Sequence, residues 1–447
     1  MKNKLKFFLE VNKLKEMPRT GWVLREVKNP ETIAEHTFRV ALAAWVLGQK
    51  KNLNTEQLIK TALFHDLCEV YAGDLTPFFY YLDLPKDEIK RKEMLKKWVR
   101  LSKKEKKKRG KKKNEIEKKS LLKLIKSLKP EIQKEIFAYW HDFEKRISPE
   151  GKFLRPVDKI ETLLQAIEYF GAKEDTPVTG WWEEVEEMAE DPLLLDFLAV
   201  IQNSFYKNRK SSHKITDENL KKELEGILFF LLEAGKLKRL PRRIWRSLEV
   251  KPPLETVADH IFSVTLMAWV FGRKKPELNM EKLLKMALCH EMPSVYTGDF
   301  ISPFRMAMIK AGENWRKVFE KWPRLSKTEK ERRFLKDYQK EKIALKKFIQ
   351  LLPLTIQEEI IQLFDEYKTA SSAEARFLNQ INVLAVLLQA LLYQKKDKNL
   401  QIDWMWEWAF EKCDNQICLD FIEELKNKFY GKGLISKFLN LLIFPKR

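Results

Sequence analysis

From Ile33 to Leu47 the apolar residues fall at helical intervals. Ile33, Val40, Ala44 and Leu47 share one face, and His36 sits among them. The spacing predicts a helix that carries an imidazole on its core side. A second helix is expected from Asn54, a favourable N-cap with Gln57 three residues on. Along it Leu58, Ala62, His65 and Glu69 line one face, and Asp66 lies about 100° round from His65. Elsewhere the apolar positions keep the same period, glycine is scarce, and no stretch sustains strand-like alternation. The fold class expected is all-α.

The pattern occurs twice. LKFFLEVNKLKEMPRTGW returns as LFFLLEAGKLKRLPRRIW, and PETIAEHTFRVALAAWVLG returns as LETVADHIFSVTLMAWVFG. LIKTALFHDLCEVYAGDLTPF returns as LLKMALCHEMPSVYTGDFISPF, WVRLSKKEK as WPRLSKTEK, and LLQAIEY as LLQALLY. The offset stays near 224, from His36 to His260, Trp98 to Trp322 and Leu163 to Leu387. So long a period excludes a solenoid and predicts two tandem helical domains, residues 1–210 and 220–447, packed on each other. Between them, around 203–220, the apolar period lapses. Ser102 with Glu105, and Ser326 with Glu329, read as capping boxes that each start a helix. Trp181, Trp182, Trp404, Trp406 and Trp408, near the domain ends, read as packing residues.

Composition narrows the class. A chain of 447 residues is long for a single core. No uninterrupted apolar run approaches the ~18 residues a membrane span needs. The N-terminal apolar patch is broken by charges and reads as a first helix, not a signal peptide. Cys68, Cys289, Cys413 and Cys418 lack metal-ligand spacing, and their scarcity points to a reducing cytoplasm. The net charge of +21 fits either attraction to phosphorylated or polyanionic partners or a lysine-rich solvated surface. Interleaved Lys and Glu favour the latter. From Ser102 to Lys119 eleven Lys or Arg face three Glu, which reads as an exposed, mobile helix or loop before a polyanion-binding arm.

The chemistry gathers near His65. One helix end presents an imidazole and two carboxylates, Asp66 and Glu69, to one point. Burying such carboxylates unpaired is costly, and a divalent cation resolves it. Mixed imidazole and carboxylate donors suit Mn, Fe, Co or Zn better than Ca. Of six histidines, four stand at His36, His65 and their repeats His260 and His290. Downstream, Asp158 flanks the apolar stripe Val157, Ile160, Leu164 and Ile167, and Glu161 one turn on is an alternative ligand by spacing.

These residues, with Arg19, Gly21, Trp22, Pro30, Glu31, Glu35, Gly73, Asp74 and the segment SPEGKFLRPVDKIETLLQAIEY, resemble the HD-domain phosphohydrolases, specifically the 5'-nucleotidase and 5'-deoxynucleotidase branch. The resemblance covers roughly residues 10 to 170. It implies one divalent ion held by His36, His65, Asp66 and Asp158, with Glu69 and Asp74 serving proton transfer or water positioning. Arg19 is expected to bind phosphate through its bidentate fork, or to form a surface salt bridge. Trp22 offers a ring to a base or sugar, or to the core. Asp74 also suits a turn after Gly73 that caps the next helix. Glu35 is expected to pair with Arg19 or orient a ligand.

The second copy departs from this pattern. It has His260, His290, Glu291 and Asn382 at the ligand positions, and Ser294 in place of Glu69, while Asp299 and the Arg242-Arg243-Ile244-Trp245 segment remain. Met292-Pro293 is expected to disturb the helix end. This copy reads as catalytically degenerate, a structural or regulatory partner of the first. The expected function is hydrolysis of a nucleoside 5'-monophosphate. The rivals are an HD-type triphosphohydrolase or phosphodiesterase, and a non-enzymatic nucleotide- or nucleic-acid-binding scaffold.

Overall fold

The computed structural model describes residues 1–76, 103–171, 178–206, 213–299, 303–321 and 326–431, with positions 87, 89, 90, 211 and 301 between them. Ser102 of the first expected capping box, and Trp98 and Trp322 of the repeat, lie outside the described residues. Among the described residues there is no strand, only isolated bridges between Pro18 and Thr32 and between Pro241 and Thr256. The fold is all-α.

Local signals start the helices where the pattern places them. The His36 helix, Ile33–Gln49, opens on a full capping box between Thr32 and Glu35. Its repeat, Val257–Gly272, opens on Thr256 and Asp259 in the same way. Asn54 accepts from the Gln57 N–H at 2.9 Å, although the Gln57 amide turns away to Asp142 and Ser148. Ser326 caps Lys327–Ile349 through the Glu329 N–H. Ser148 and Ser372 begin the long core helices Pro149–Phe170 and Ala373–Lys396. The latter is long and apolar enough to cross a membrane, but 78% of its apolar window is buried inside the fold.

Two expectations are corrected. The helix from Thr55 does not run on through Glu69; it ends at Phe64, and a fresh turn spans Glu69–Ala72. The four-residue spacing of His65 and Glu69 survives a tight turn as well as a helix, so periodicity could not see the break. Met292-Pro293 does not disturb the second copy. Met280–Cys289 ends at the matching place, and Pro293 begins the turn Ser294–Thr297, where its missing N–H is not needed. The described part of the basic run is a helix, Lys103–Ile125, exposed over most of the run, although it buries Glu117 and, past the run, Ser120, Leu121 and Leu124.

The two copies interlock about a pseudo-two-fold seam. The His36 helix packs on Val257–Gly272, and Thr55–Phe64 on Met280–Cys289, with Phe64 and Trp269 ring centroids 4.7 Å apart. The first helix of each copy lies against the last helix of the other. Lys2–Val11 meets Gln416–Tyr430 through Phe8 and Phe421, and Glu218–Gly235 packs on Pro192–Phe205. A Cβ on Gly235 would stand 2.4 Å from the Arg39 guanidinium, so glycine permits this close approach. Thr32 donates to Asp259 at 2.8 Å and Thr256 to Glu35 at 2.7 Å. Lys15 pairs with Glu255, and its repeat Lys238 pairs with Glu31. Buried apolar residues of both copies form one continuous core.

Candidate metal centre

Four side chains from three elements converge on one buried point in the first copy. His36 comes from the first turn of the seam helix, His65 and Asp66 from the turn after Phe64, and Asp158 from Pro149–Phe170. His36 Nε2 lies 3.0 Å from Asp158 Oδ1 and 3.8 Å from Asp66 Oδ2. His65 Nε2 lies 3.1 Å from Asp66 Oδ2 and 4.0 Å from Asp158 Oδ1. Bonds of about 2.1 Å to a common ion put neighbouring donors roughly 3.0–3.5 Å apart. Two of the four separations meet that spacing, and the other two, at 3.8 and 4.0 Å, are wider by half an ångström or less.

Three further observations favour a cation. His65 Nδ1 donates to the Ala62 carbonyl at 2.6 Å, which leaves Nε2 as the lone-pair nitrogen. That Nε2 is buried and has no hydrogen-bond partner. Burial and Arg19 oppose protonation of His36, yet Glu161 and Asp158 raise its imidazole to about 9. The site draws positive charge into a fully buried place. Lys159 foremost, with His36 and His65, holds Asp158 well below the usual carboxylate range against the pull of burial.

Around this point stand the other expected residues. Arg19 bridges Asp66 and Asp74 at 3.4 Å each. Asp74 accepts the Thr20 N–H at 2.7 Å, so it caps the turn that carries Arg19; the next helix it was expected to cap lies outside the described residues. Glu69 is buried, one of its oxygens is unpartnered, and burial with Asp66 and Asp74 pushes its carboxyl well up.

Trp22 does not offer a stacking face. It is 2% exposed, donates to Glu31 at 2.9 Å, and lies against Tyr169 and Trp181 with centroids 5.2 and 5.0 Å away. Its place is the core. Glu35 does not pair with Arg19; it serves the Thr32 cap and the seam.

Sequence reasoning missed the shell behind the donors. Glu161, weighed above as a ligand, instead bonds His36 Nδ1 from behind, and Arg39 Nε donates to its other oxygen at 2.8 Å. Against burial, Lys238 foremost, then His36 and Arg39, holds Glu161 well below the usual range. Lys113, inside the basic run, pairs with Glu117 at 3.3 Å and adds positive potential at Glu69. The repeat itself was the available signal for Lys238, since Lys15 and Lys238 occupy matching positions.

The second copy keeps the geometry and loses the charge. His260, His290 and Glu291 still cluster, with the imidazole rings 5.7 Å apart. Arg242 reaches Glu291 and Asp299 at 3.2 Å each. His260 Nε2 lies 2.9 Å from Asn382 Oδ1, Ser294 bonds Glu291, and Ala385 stands where the first copy has Glu161. Burial, followed by Arg242 and His290, drives His260 well below its usual value. His36 and His260 are equally buried and move in opposite directions, which reports the carboxylates each copy retains.

The HD domain family model matches twice, over residues 11–192 and 234–412. This chain belongs to the HD-domain family. The human 5'-deoxynucleotidase HDDC2 is 33% identical over 166 residues, 37% of this chain and 67% of that protein. The protein of that name in Danio rerio is 34% identical over 169 residues, 38% of this chain and 70% of the other. The 5'-deoxynucleotidase hdd1 of Schizosaccharomyces pombe is 29% identical over 191 residues, 42% and 83% of the two chains. Among solved structures, a conserved hypothetical protein from Pyrococcus furiosus is 27% identical, covering 44% of this chain and 98% of its own, with a TM-score of 0.32.

Proposed function

We propose that this chain is a metal-dependent phosphomonoesterase that hydrolyses nucleoside 5'-monophosphates to nucleoside and phosphate. The observation that carries the reading is the convergence of His36, His65, Asp66 and Asp158 on one buried point that concentrates negative charge, with Arg19 at its edge. Similarity to the 5'-deoxynucleotidases supports the substrate class.

A divalent transition ion held by those four residues would supply Lewis-acid polarisation of a phosphoryl oxygen. Arg19, held charged beside Asp66 and Asp74 at the edge of the donor cluster, is the residue that would donate to the phosphate. Glu69 is the proton-transfer group: burial, with Asp66 and Asp74, pushes its carboxyl upward, which favours a form that can pass a proton to the leaving oxygen. Asp74 is reassigned from proton transfer to positioning, because its oxygen is committed to Thr20 and Arg19.

The test is phosphate release from nucleoside mono-, di- and triphosphates and from a diester, with Mn(II) or Co(II) added and then chelated. The expected result is metal-dependent turnover of monophosphates, at least tenfold above the other classes, and its loss in His65→Ala and Arg19→Ala. Faster turnover of triphosphates or the diester, or full activity in His65→Ala, would overturn the reading.

A further inference from the structure

Two buried lysines at matching positions, Lys15 and Lys238, cross the seam in opposite directions, and they end differently. Lys15 leaves the first copy and pairs with Glu255 of the second at 2.6 Å. Lys238 leaves the second copy, pairs with Glu31, and goes further: its Nζ also bonds Glu161, and Gln165 at 2.9 Å. All these groups are buried. Glu161 in turn holds His36 Nδ1. A continuous chain of contacts thus joins a residue of the second copy to a donor of the first copy's metal centre.

The second copy shows what happens without that chain. Ala385 replaces Glu161, so Lys15 has no route to His260. His260 Nδ1 is buried with no partner, and the ring instead makes its bond through Nε2 to Asn382. Its proton then sits on the nitrogen that faces the donor cluster. In the first copy Glu161 holds a proton on Nδ1 and leaves Nε2 as the face that ligates once its own proton is given up. Outer-shell carboxylates that bind the far side of a ligating imidazole fix its tautomer and ring orientation. A carboxylate in so buried a place needs cations to keep it charged and still.

We infer that Lys238 of the second copy is a positioning residue for the first copy's metal centre, acting through Glu161 on His36. The second copy is then a working part of the site and not only a packing partner. The inference rests on the metal-site reading above, and the experiment separates the two.

Cobalt(II) is titrated into the full-length apoprotein and followed by its visible absorption and by competition with a chelator. The wild type, Lys238→Met, Lys238→Arg and Lys15→Met are compared, each with its thermal midpoint. Lys15→Met is the matched control, since it removes the equivalent seam pair without touching Glu161. The expected result is roughly 10- to 100-fold weaker cobalt binding in Lys238→Met. Lys238→Arg should recover most of the affinity, and Lys15→Met should match the wild type. If Lys238→Met does not fold, Lys238→Gln, which keeps a donor for Gln165 without the charge, is read in its place. Equal affinity in wild type and the Lys238 variant overturns this inference alone, as does an equal loss in Lys15→Met. No cobalt binding by the wild type overturns the metal-site reading and this inference with it.

Discussion

Asp158→Asn leaves the first site one carboxylate among its four donors, as in the second, and the structure supplies the size of the effect. His36 and His260 are both 0% exposed. One imidazole stands at about 9 and the other well below 6.5. That difference of at least roughly 2.5 corresponds to about 3 kcal/mol of local potential, at ~1.4 kcal/mol for each tenfold change. A divalent ion carries twice the charge of an imidazolium, so it feels the loss at least as strongly. Part of the difference belongs to Glu161, absent in the second copy. The single substitution should therefore weaken Mn(II) or Co(II) binding by roughly 10- to 100-fold, with fold and thermal midpoint nearly unchanged. Calorimetric titration of the apoprotein reads the affinity. NMR of the imidazole carbons, few enough here to assign with only six histidines, reads the potential directly. One resonance should titrate near 9 in wild type and move down in the variant. Unchanged metal affinity with that titration still near 9 would refute the charge argument.

Three other outcomes are expected. Glu35 and Asp259 interact across the seam, and burial pushes both carboxyls up, Asp259 to about 6; the folded protein binds these protons more tightly than the unfolded chain, so their contribution to stability is full below the ordinary carboxylate range and falls as pH rises, that of Asp259 through about 6. Glu35→Gln, which keeps the cap, should raise the thermal midpoint at pH 8 and leave it unchanged at pH 4, and melting curves across that range check it. Replacing the exposed Lys104, Lys108 and Lys111 by Gln should leave monophosphate turnover within about twofold, whereas Lys113→Gln should lower kcat by moving Glu69 further up; steady-state kinetics separate the two. Residues 1–210, the first of the two proposed domains, should aggregate when expressed alone, because the seam faces of the His36 helix and of Phe8 are apolar and lose their cover; a monomeric, folded fragment by light scattering and circular dichroism would contradict this.

What the sequence made legible was what local spacing controls. His36, His65 and Asp66 are set by helical phase and one turn, and the repeat showed which of their companions the second copy had lost. Asp158 stood beside an apolar stripe where spacing alone left Glu161 as its rival. The structure separates them by direction: one points at the donor cluster, the other at the back of His36. That distinction depends on how Pro149–Phe170 rotates against the seam helix, which no single segment encodes. Trp22 is a similar case. Its covering rings, Tyr169 and Trp181, lie about 150 residues away in sequence, so burial and exposure looked alike. Lys238 was legible only through the repeat, which matches it to Lys15; nothing in its own segment announces the contact with Glu161 that the seam creates.

The seam also explains how the two copies could diverge so unevenly. Each shares its core with the other, and each first helix lies on the other's last helix, so the apolar positions of both must be kept for either to fold. The donors carry no such constraint. Asn382, Ser294 and Ala385 could replace carboxylates in the second copy at no cost to packing, since an uncompensated buried charge is itself destabilising. Glu31 and Glu255 sit differently: each caps a tryptophan indole at 2.9 and 2.7 Å and receives the lysine from the opposite copy. Both remain. The second copy thus keeps the seam pairs together with His260, His290 and Glu291, and lacks the carboxylates at the positions of Glu69, Asp158 and Glu161; its lysine that reaches the first site, Lys238, stands where a carboxylate still needs it.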